Sequence, residues 1–265
     1  MPLIVYSNST ERFAKNITGE FLKVERGLTK EIFKVKTDKN IIAIGGGSVI
    51  DAAKIIARNS GNKEVSVIPT TASGAAETSH AVYWQNHRKY SIKTPKPRML
   101  RIDLALLKSL PKEVIRATSY DALGHALESY WSKRATPVVK EFARKIAEVI
   151  TRQIRNDYPN LEKLIEAGNM AGRAIEITGT NIIHAISYPI TGFYGIPHGL
   201  AVGLVLPVVA RYMECELEIP KCMTKLRRKF DVDLIANEAM KYNRIHGAVK
   251  DISKEQVTKI LGESL

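Results

Sequence analysis

NIIAIGGGSVIDAAKIIARNSG, residues 40–61, sets a β-prone run, three consecutive glycines and a helical pattern end to end. Residues 40–44 are the strand-like part, and from Ser48 the apolar positions Ile50, Ala53, Ile56 and Ala57 share one helical face. Strand, glycine turn and helix start together form a phosphate-binding device. Without Cβ atoms the backbone approaches a pyrophosphate closely, and the unpaired N–H groups at the start of the helix point at it. A glycine turn alone is weak evidence, because any tight strand-to-helix connection can use one. Here the flanking segments supply the right context.

Working outward, residues 3–6 (LIVY) read as a short buried strand that ends in the turn Ser7-Asn8-Ser9-Thr10. A helical pattern follows to about Val24, and residues 32–36 (IFKVK) read as another strand. Downstream, residues 65–68 form a strand that enters a Thr/Ser/Gly/Ala loop. Small hydroxyl residues at the C-terminal end of a strand suit hydrogen bonds to a nucleotide. Between 80 and 107 the strand-like pieces HAVYW and MLRIDL alternate with a basic turn. Short buried strands alternating with helices predict a mostly parallel sheet covered on both faces.

Near Pro111 the character changes to long helical periods. One spans 138–155, with Val139, Phe142, Ile146, Val149, Ile150 and Ile154 in helical register. Another spans 161–178, whose Gly and Ala residues predict close packing of neighbouring helices. The expected fold class is therefore an α/β domain with a mostly parallel sheet over 1–110, followed by an all-α domain over 111–265.

The chain has 265 residues, 45% of them apolar and 25% charged, which suits a globular protein with a sizeable core. No apolar run reaches the ~20 residues that span a bilayer, and MPLIVYSNST does not read as a signal peptide. Cys215 and Cys222 are too few for a disulfide framework, so a reducing cytoplasm is expected. Forty Lys and Arg against 27 Asp and Glu leave a net charge of +13. The basic runs lie at 86–101 and 221–230, and neither has the aromatic interleaving of a nucleic-acid platform. The second is expected to be a solvated basic face, while the first reads as a loop or hairpin that borders a site.

Asp121 and His125, in the segment YDALGHALESYW, are i and i+4 on a predicted helix, so their side chains share a face. His184 lies in a second helical segment, and His198 opens a third after a turn rich in Gly and Pro. Two buried histidines alone would be ordinary. One carboxylate with three imidazoles suits a divalent transition metal such as Fe²⁺, Zn²⁺, Ni²⁺ or Mn²⁺.

The segments GGGSVIDAAK, PTTASGAAETSHAVYW, SYDALGHALESYWS and HAISYPITGFYGIPHG occur in the order of the iron-containing (group III) alcohol dehydrogenases, which the chain resembles from about residue 3 to about 215. The resemblance implies NAD(P) and a metal ion meeting between an N-terminal dinucleotide-binding domain and a C-terminal helical metal-binding domain. It implies Asp121, His125, His184 and His198 as metal ligands. It also implies Gly46, Gly47 and Ser48 as the pyrophosphate loop, Asp51 in the first turn of its helix, and Thr70 and Thr71 as nucleotide contacts. The chain reads as a shortened member, and its loop PTTASGAAE departs from the family's PTTAGTGSE. Ser7 stands where a family Asp holds the adenosine ribose, which leaves NAD and NADP open and tilts toward NADP. Tyr188 stands where many members have a proton-relaying His. HAISYPIT–YGIPHG also resembles phosphonoacetaldehyde-reductase-like members, whose substrates are anionic.

These features predict a metal-dependent NAD(P) oxidoreductase that interconverts a small alcohol and its aldehyde. Fe²⁺ is the expected ion, with Zn²⁺ next, and Tyr188 is the candidate proton relay or else a residue that only lines the pocket. The expected partners are a small-molecule substrate, anionic in one reading, and a second copy of the chain, without nucleic acid or membrane. The rival readings are a dehydroquinate-synthase-like lyase using NAD and a metal, and a basic binding protein whose catalysis has lapsed.

Overall fold

The computed structural model describes residues 1–25, 27–99, 101–222 and 228–265. Its N-terminal part runs β1 (Leu3–Tyr6), α1 (Glu11–Ala14), β2 (Glu20–Lys23), β3 (Ile41–Gly45), α2 (Gly47–Asn59), β4 (Val65–Pro69), β5 (His80–Gln85), β6 (Arg88–Lys93), β7 (Arg98–Met99) and α3 (Leu104–Lys108). Five strands form a parallel sheet in the order β2-β1-β3-β4-β7, and β5 and β6 form a separate antiparallel hairpin.

Side chains alternate across the sheet. Leu3, Val5, Ile41, Ala43, Val65 and Val67 share a core with α2 residues such as Ile50, Ala53 and Ile56. Ile4, Tyr6, Ile44 and Ile68 face the other way, onto Ala14 and Leu106. Both faces are covered, as apolar strands such as LIVY require.

Three local expectations are corrected. The helical pattern thought to run to Val24 stops at Ala14, and residues 20–23 form β2, pairing parallel to β1. A four-residue edge strand, mostly exposed, carries no periodic signature; its backbone bonds to β1 outweigh local helical preference. Residues 30–34 form a 3₁₀ turn rather than a strand at 32–36. Ile32 and Phe33 serve there as apolar plugs against the α2 core, with Phe33 edge-on to Tyr83 at 5.0 Å. Of the described residues of MLRIDL, Met99 alone is strand, at the end of β7; Asp103 accepts from the N–H groups of Ala105 and Leu106 and so starts α3.

The remainder is helical: α4 (Lys112–Trp131), α5 (Pro137–Arg155), α6 (Leu161–Thr178), α7 (Ile182–Tyr194), α8 (His198–Tyr212), α9 (Val232–Ala239) and α10 (Lys254–Ser264). α4 is buried along most of its length and packs against α5, α6 and α8. α5 buries Ala143, Ile146, Ala147, Ile150 and Ile154, while Phe142 and Val149 stay largely exposed. The glycines of α6 serve a different contact from the expected one. A Cβ on Gly168 would stand 1.8 Å from the carbonyl oxygen of Ala72, and one on Gly172 would stand 2.3 Å from that of Gly74. The loop after β4 lies flat on these glycines, while α6 also packs closely against α4 and α5. Residues 223–227, half of the second basic run, lie outside the described residues. Among the described residues no helix is long and apolar enough to cross a membrane.

Candidate active site

Three helices deliver the metal-ligand types to one point. α4 carries Asp121 and His125 on a single face. α7 carries His184 in its first turn and ends at Gly195, whose φ of +66° the missing Cβ permits. The chain turns through Ile196-Pro197, and His198 begins α8. Asp121 Oδ1 lies 3.3 Å from His184 Nε2, 3.5 Å from His198 Nε2 and 3.9 Å from His125 Nε2. Two donors about 2.1 Å from one ion at a tetrahedral angle stand about 3.4 Å apart, so these spacings suit a single cation. Donor atoms of Asp121, His184 and His198 form the compact group, all within 4.8 Å of one another. His125 stands at its margin.

The second nitrogen of each ring is handled differently. His125 Nδ1 lies 3.1 Å from the Ser73 carbonyl, which can only accept, so Nδ1 carries the proton and Nε2 faces Asp121 with its lone pair. His184 Nδ1 lies 2.7 Å from Glu128 Oε2. His198 Nδ1 is buried with no hydrogen-bond partner among the described residues. The rings of His125 and His184 stack with centroids 4.6 Å apart.

Burial draws His125 down to about 4 and His198 down to about 3, so both are neutral near pH 7 with lone pairs to offer. Burial alone would raise the Asp121 carboxyl. Neighbouring His125, the hydrogen bond from His184 and the charge of His198 outweigh it and hold the group well below the carboxylate range. Burial likewise opposes the charged form of His184, yet Glu128, then Tyr188 and the hydrogen bond to Asp121, hold it well above the usual imidazole value. The donor set fits a first-row divalent cation.

Tyr188 packs beside the cluster, stacked on His198 with centroids 5.4 Å apart. Its hydroxyl accepts from Lys89 Nζ at 2.7 Å and lies 3.5 Å from Thr180 Oγ1. Burial first, and then repulsion by Arg244, draws the Lys89 amine down to about 8. The β5–β6 hairpin brings Lys89 in from the sheet side. At its tip Asn86 and His87 adopt left-handed φ values of 49° and 63°, and His87 Nδ1 lies 2.9 Å from the Gly192 carbonyl of α7. Arg88 forks onto Glu238 of α9 at 2.9 and 3.0 Å.

The residues expected to hold a nucleotide lie at the carboxyl edge of the sheet. No side chain caps the start of α2, where Gly46, Gly47 and Ser48 sit. Thr70 and Thr71 follow β4, and a Cβ on Gly46 would stand 2.9 Å from Thr71 Cγ2, so the two loops touch. Ser7 follows β1, and its neighbour Thr10 donates to the Ile44 carbonyl of β3 at 2.8 Å. The connections reverse direction between β1 and β3, and ligands of open α/β sheets bind at that switch point. Asp51 stands one turn into α2. Its carboxylate accepts from the Val82 N–H and lies 3.8 Å from Lys54 Nζ, with burial raising it to about 6.

Sequence reasoning missed Glu128 and Lys89. Glu128 is seven positions after Asp121 in a helix that already shows Asp121 and His125 on one face, and that spacing was a usable signal. Lys89 had none, since it is one of several cations in its run.

Comparison with known proteins follows the same lines. A family model described as iron-containing alcohol dehydrogenase matches residues 23–107, and one for the C-terminal part of the Fe-containing alcohol dehydrogenase family matches 115–228. The chain is 34% identical to 4-hydroxybutyrate dehydrogenase of Clostridium kluyveri over 63% of this chain and 52% of that one. It is 28% identical to phosphonoacetaldehyde reductase of Streptomyces viridochromogenes, over 89% of this chain and 78% of that one. The NAD-dependent methanol dehydrogenase of Bacillus methanolicus is 31% identical, with 69% of this chain and 55% of the relative covered. The chain thus spans about half the length of several curated relatives, 52% and 55% for the first and third. An iron-containing alcohol dehydrogenase from Thermotoga maritima superposes with a TM-score of 0.83 at 22% identity, covering 100% of this chain and 92% of that one. That likeness speaks for the fold alone.

Proposed function

The chain belongs to the iron-containing alcohol dehydrogenase family, and from that premise we propose that it interconverts a small alcohol and its aldehyde by hydride transfer, using NAD or NADP and one divalent metal ion. Fe²⁺ is the first choice and Zn²⁺ the second. The convergence of three imidazole Nε2 atoms on Asp121 Oδ1, within 3.9 Å, carries the proposal. When bound, the ion polarises the substrate oxygen and offsets the negative charge that develops there, while the nicotinamide carries the hydride.

In this reading Asp121, His184 and His198 hold the ion and His125 completes the set. Gly46, Gly47 and Ser48 cradle the pyrophosphate at the uncapped start of α2, with Thr70 and Thr71 on the adjoining loop and Ser7 toward the adenosine ribose. The proton relay is assigned to Tyr188. Its hydroxyl, between the Lys89 amine and Thr180 Oγ1, can hold a proton and pass it along that line.

The cation at Lys89 and the net charge of +13 favour an anionic substrate. The partners in this reading are that small molecule and a second copy of the chain, in a reducing cytoplasm. The lyase alternative would need spare cations for a phosphate and a carboxylate. Arg88, Lys96 and Arg101 of the basic run are paired with Glu238, Glu77 and Asp103, and Lys89 is the cation of that run beside Tyr188; a single cation there supports the oxidoreductase over the lyase.

The test is metal analysis of the purified protein, followed by NADH and NADPH turnover against neutral and anionic aldehydes. Asp121→Asn, His184→Ala and His198→Ala are each expected to drop turnover to background with far-UV circular dichroism unchanged. Undiminished turnover after chelation and dialysis would overturn the proposal.

A further inference from the structure

Glu128 is wholly buried, yet both of its carboxylate oxygens are committed to one residue. Oε1 accepts from the backbone N–H of His184 at 2.9 Å, and Oε2 lies 2.7 Å from the same residue's Nδ1. That N–H is in the first turn of α7, where helical N–H groups have no partner of their own. Asn181 ties the same two helices together, since it accepts from the Ile182 N–H at 2.8 Å and donates to the Glu128 carbonyl at 2.9 Å.

From this geometry we infer that Glu128 is the positioning residue of the metal site: it keeps a proton on His184 Nδ1 and so leaves Nε2, the nitrogen that faces Asp121, as the one that binds an ion. The inference rests on the metal-site proposal above. An ionised carboxylate has only acceptors, so Nδ1 facing it must donate, and the neutral ring that binds an ion must then do so through Nε2.

Glu128→Gln separates this role from mere packing, because glutamine keeps the shape and loses one acceptor. The His184 N–H can only donate, so the amide oxygen must face it, which leaves the amide NH₂ against Nδ1. That arrangement forces the ring proton onto Nε2, the nitrogen needed for the ion. In the opposite arrangement two donors face each other.

The experiment is Co²⁺ titration of the full chain, read by d–d absorption and by competition with a chelator, together with ¹⁵N-imidazole NMR of the Zn²⁺-loaded wild type. The expected result is Co²⁺ affinity lowered about 10–100-fold in Glu128→Gln, with an altered d–d band and unchanged far-UV circular dichroism. In the wild type the NMR should show His184 protonated on Nδ1 and bound through Nε2. A variant that binds Co²⁺ as tightly as wild type overturns the inference and leaves the oxidoreductase proposal standing. So does a wild-type His184 bound through Nδ1, a readout that holds even should the variant not fold. A wild type that takes up neither ion overturns the metal site itself.

Discussion

Asp121 Oδ1 faces three imidazole nitrogens, and two of the rings are kept neutral by burial while the third is held protonated. An entering cation must therefore displace the proton on His184 Nε2. The sign follows from linkage: His184 has a raised pKa, so below it the proton competes with the ion, and affinity rises with pH until the raised value is passed. About one proton should leave per ion near neutrality. Calorimetric Zn²⁺ titrations at pH 7 in two buffers of different ionisation enthalpy read this number, and a value of zero would place the ion away from His184. Protonation of His125 and His198 contributes only in strong acid, around pH 4 and 3.

At the scale of elements, two glycines separate packing from ligand binding. A Cβ on Gly168 would meet the Ala72 carbonyl at 1.8 Å, so α6 and the loop after β4 would have to part. Gly168→Ala is expected to cost roughly 3 kcal/mol, seen as an earlier denaturant midpoint. A Cβ on Gly47 would find nothing nearer than Ala75 Cβ at 3.9 Å. Gly47→Ala should leave stability within about 1 kcal/mol while raising the KM for NAD(P)H, because the added methyl occupies space offered to a pyrophosphate. Equal KM values for wild type and Gly47→Ala would argue against that loop as the phosphate cradle. The β5–β6 hairpin is the other decisive element. Its tip is fastened to α7 and α9 through His87 and Arg88, and this is how a residue of the α/β part reaches Tyr188.

Across the whole molecule, ties cross from the sheet side to the helices at several points. The Ser73 carbonyl meets His125, Glu77 pairs with Arg173 at 3.1 Å, and the Ser79 N–H donates to Glu176 at 3.1 Å. A cation at Asp121 would add a knot joining α4, α7 and α8, and binding to the folded state alone stabilises it by mass action. At an ion concentration 100-fold above Kd the gain is about 2.7 kcal/mol, or several degrees in Tm for a chain of this size. Differential scanning calorimetry with and without chelator should show that drop; coincident transitions would indicate that no ion bridges the helices.

The local stretches of sequence determined a good deal. β1, β3 and β4, the glycine turn into α2, and the gathering of His125, His184 and His198 about Asp121 were all legible, because alternation and helical spacing mark which residues of a segment share a face. Periodicity names a face but not its partner. Tertiary structure alone decided that residues 20–23 pair with β1, that Gly168 receives a loop, and that Lys89 rather than Arg88 is carried to Tyr188. Each of these depends on backbone hydrogen bonds, close approach or desolvation between segments far apart in the chain, and such contacts exist only once the segments have packed.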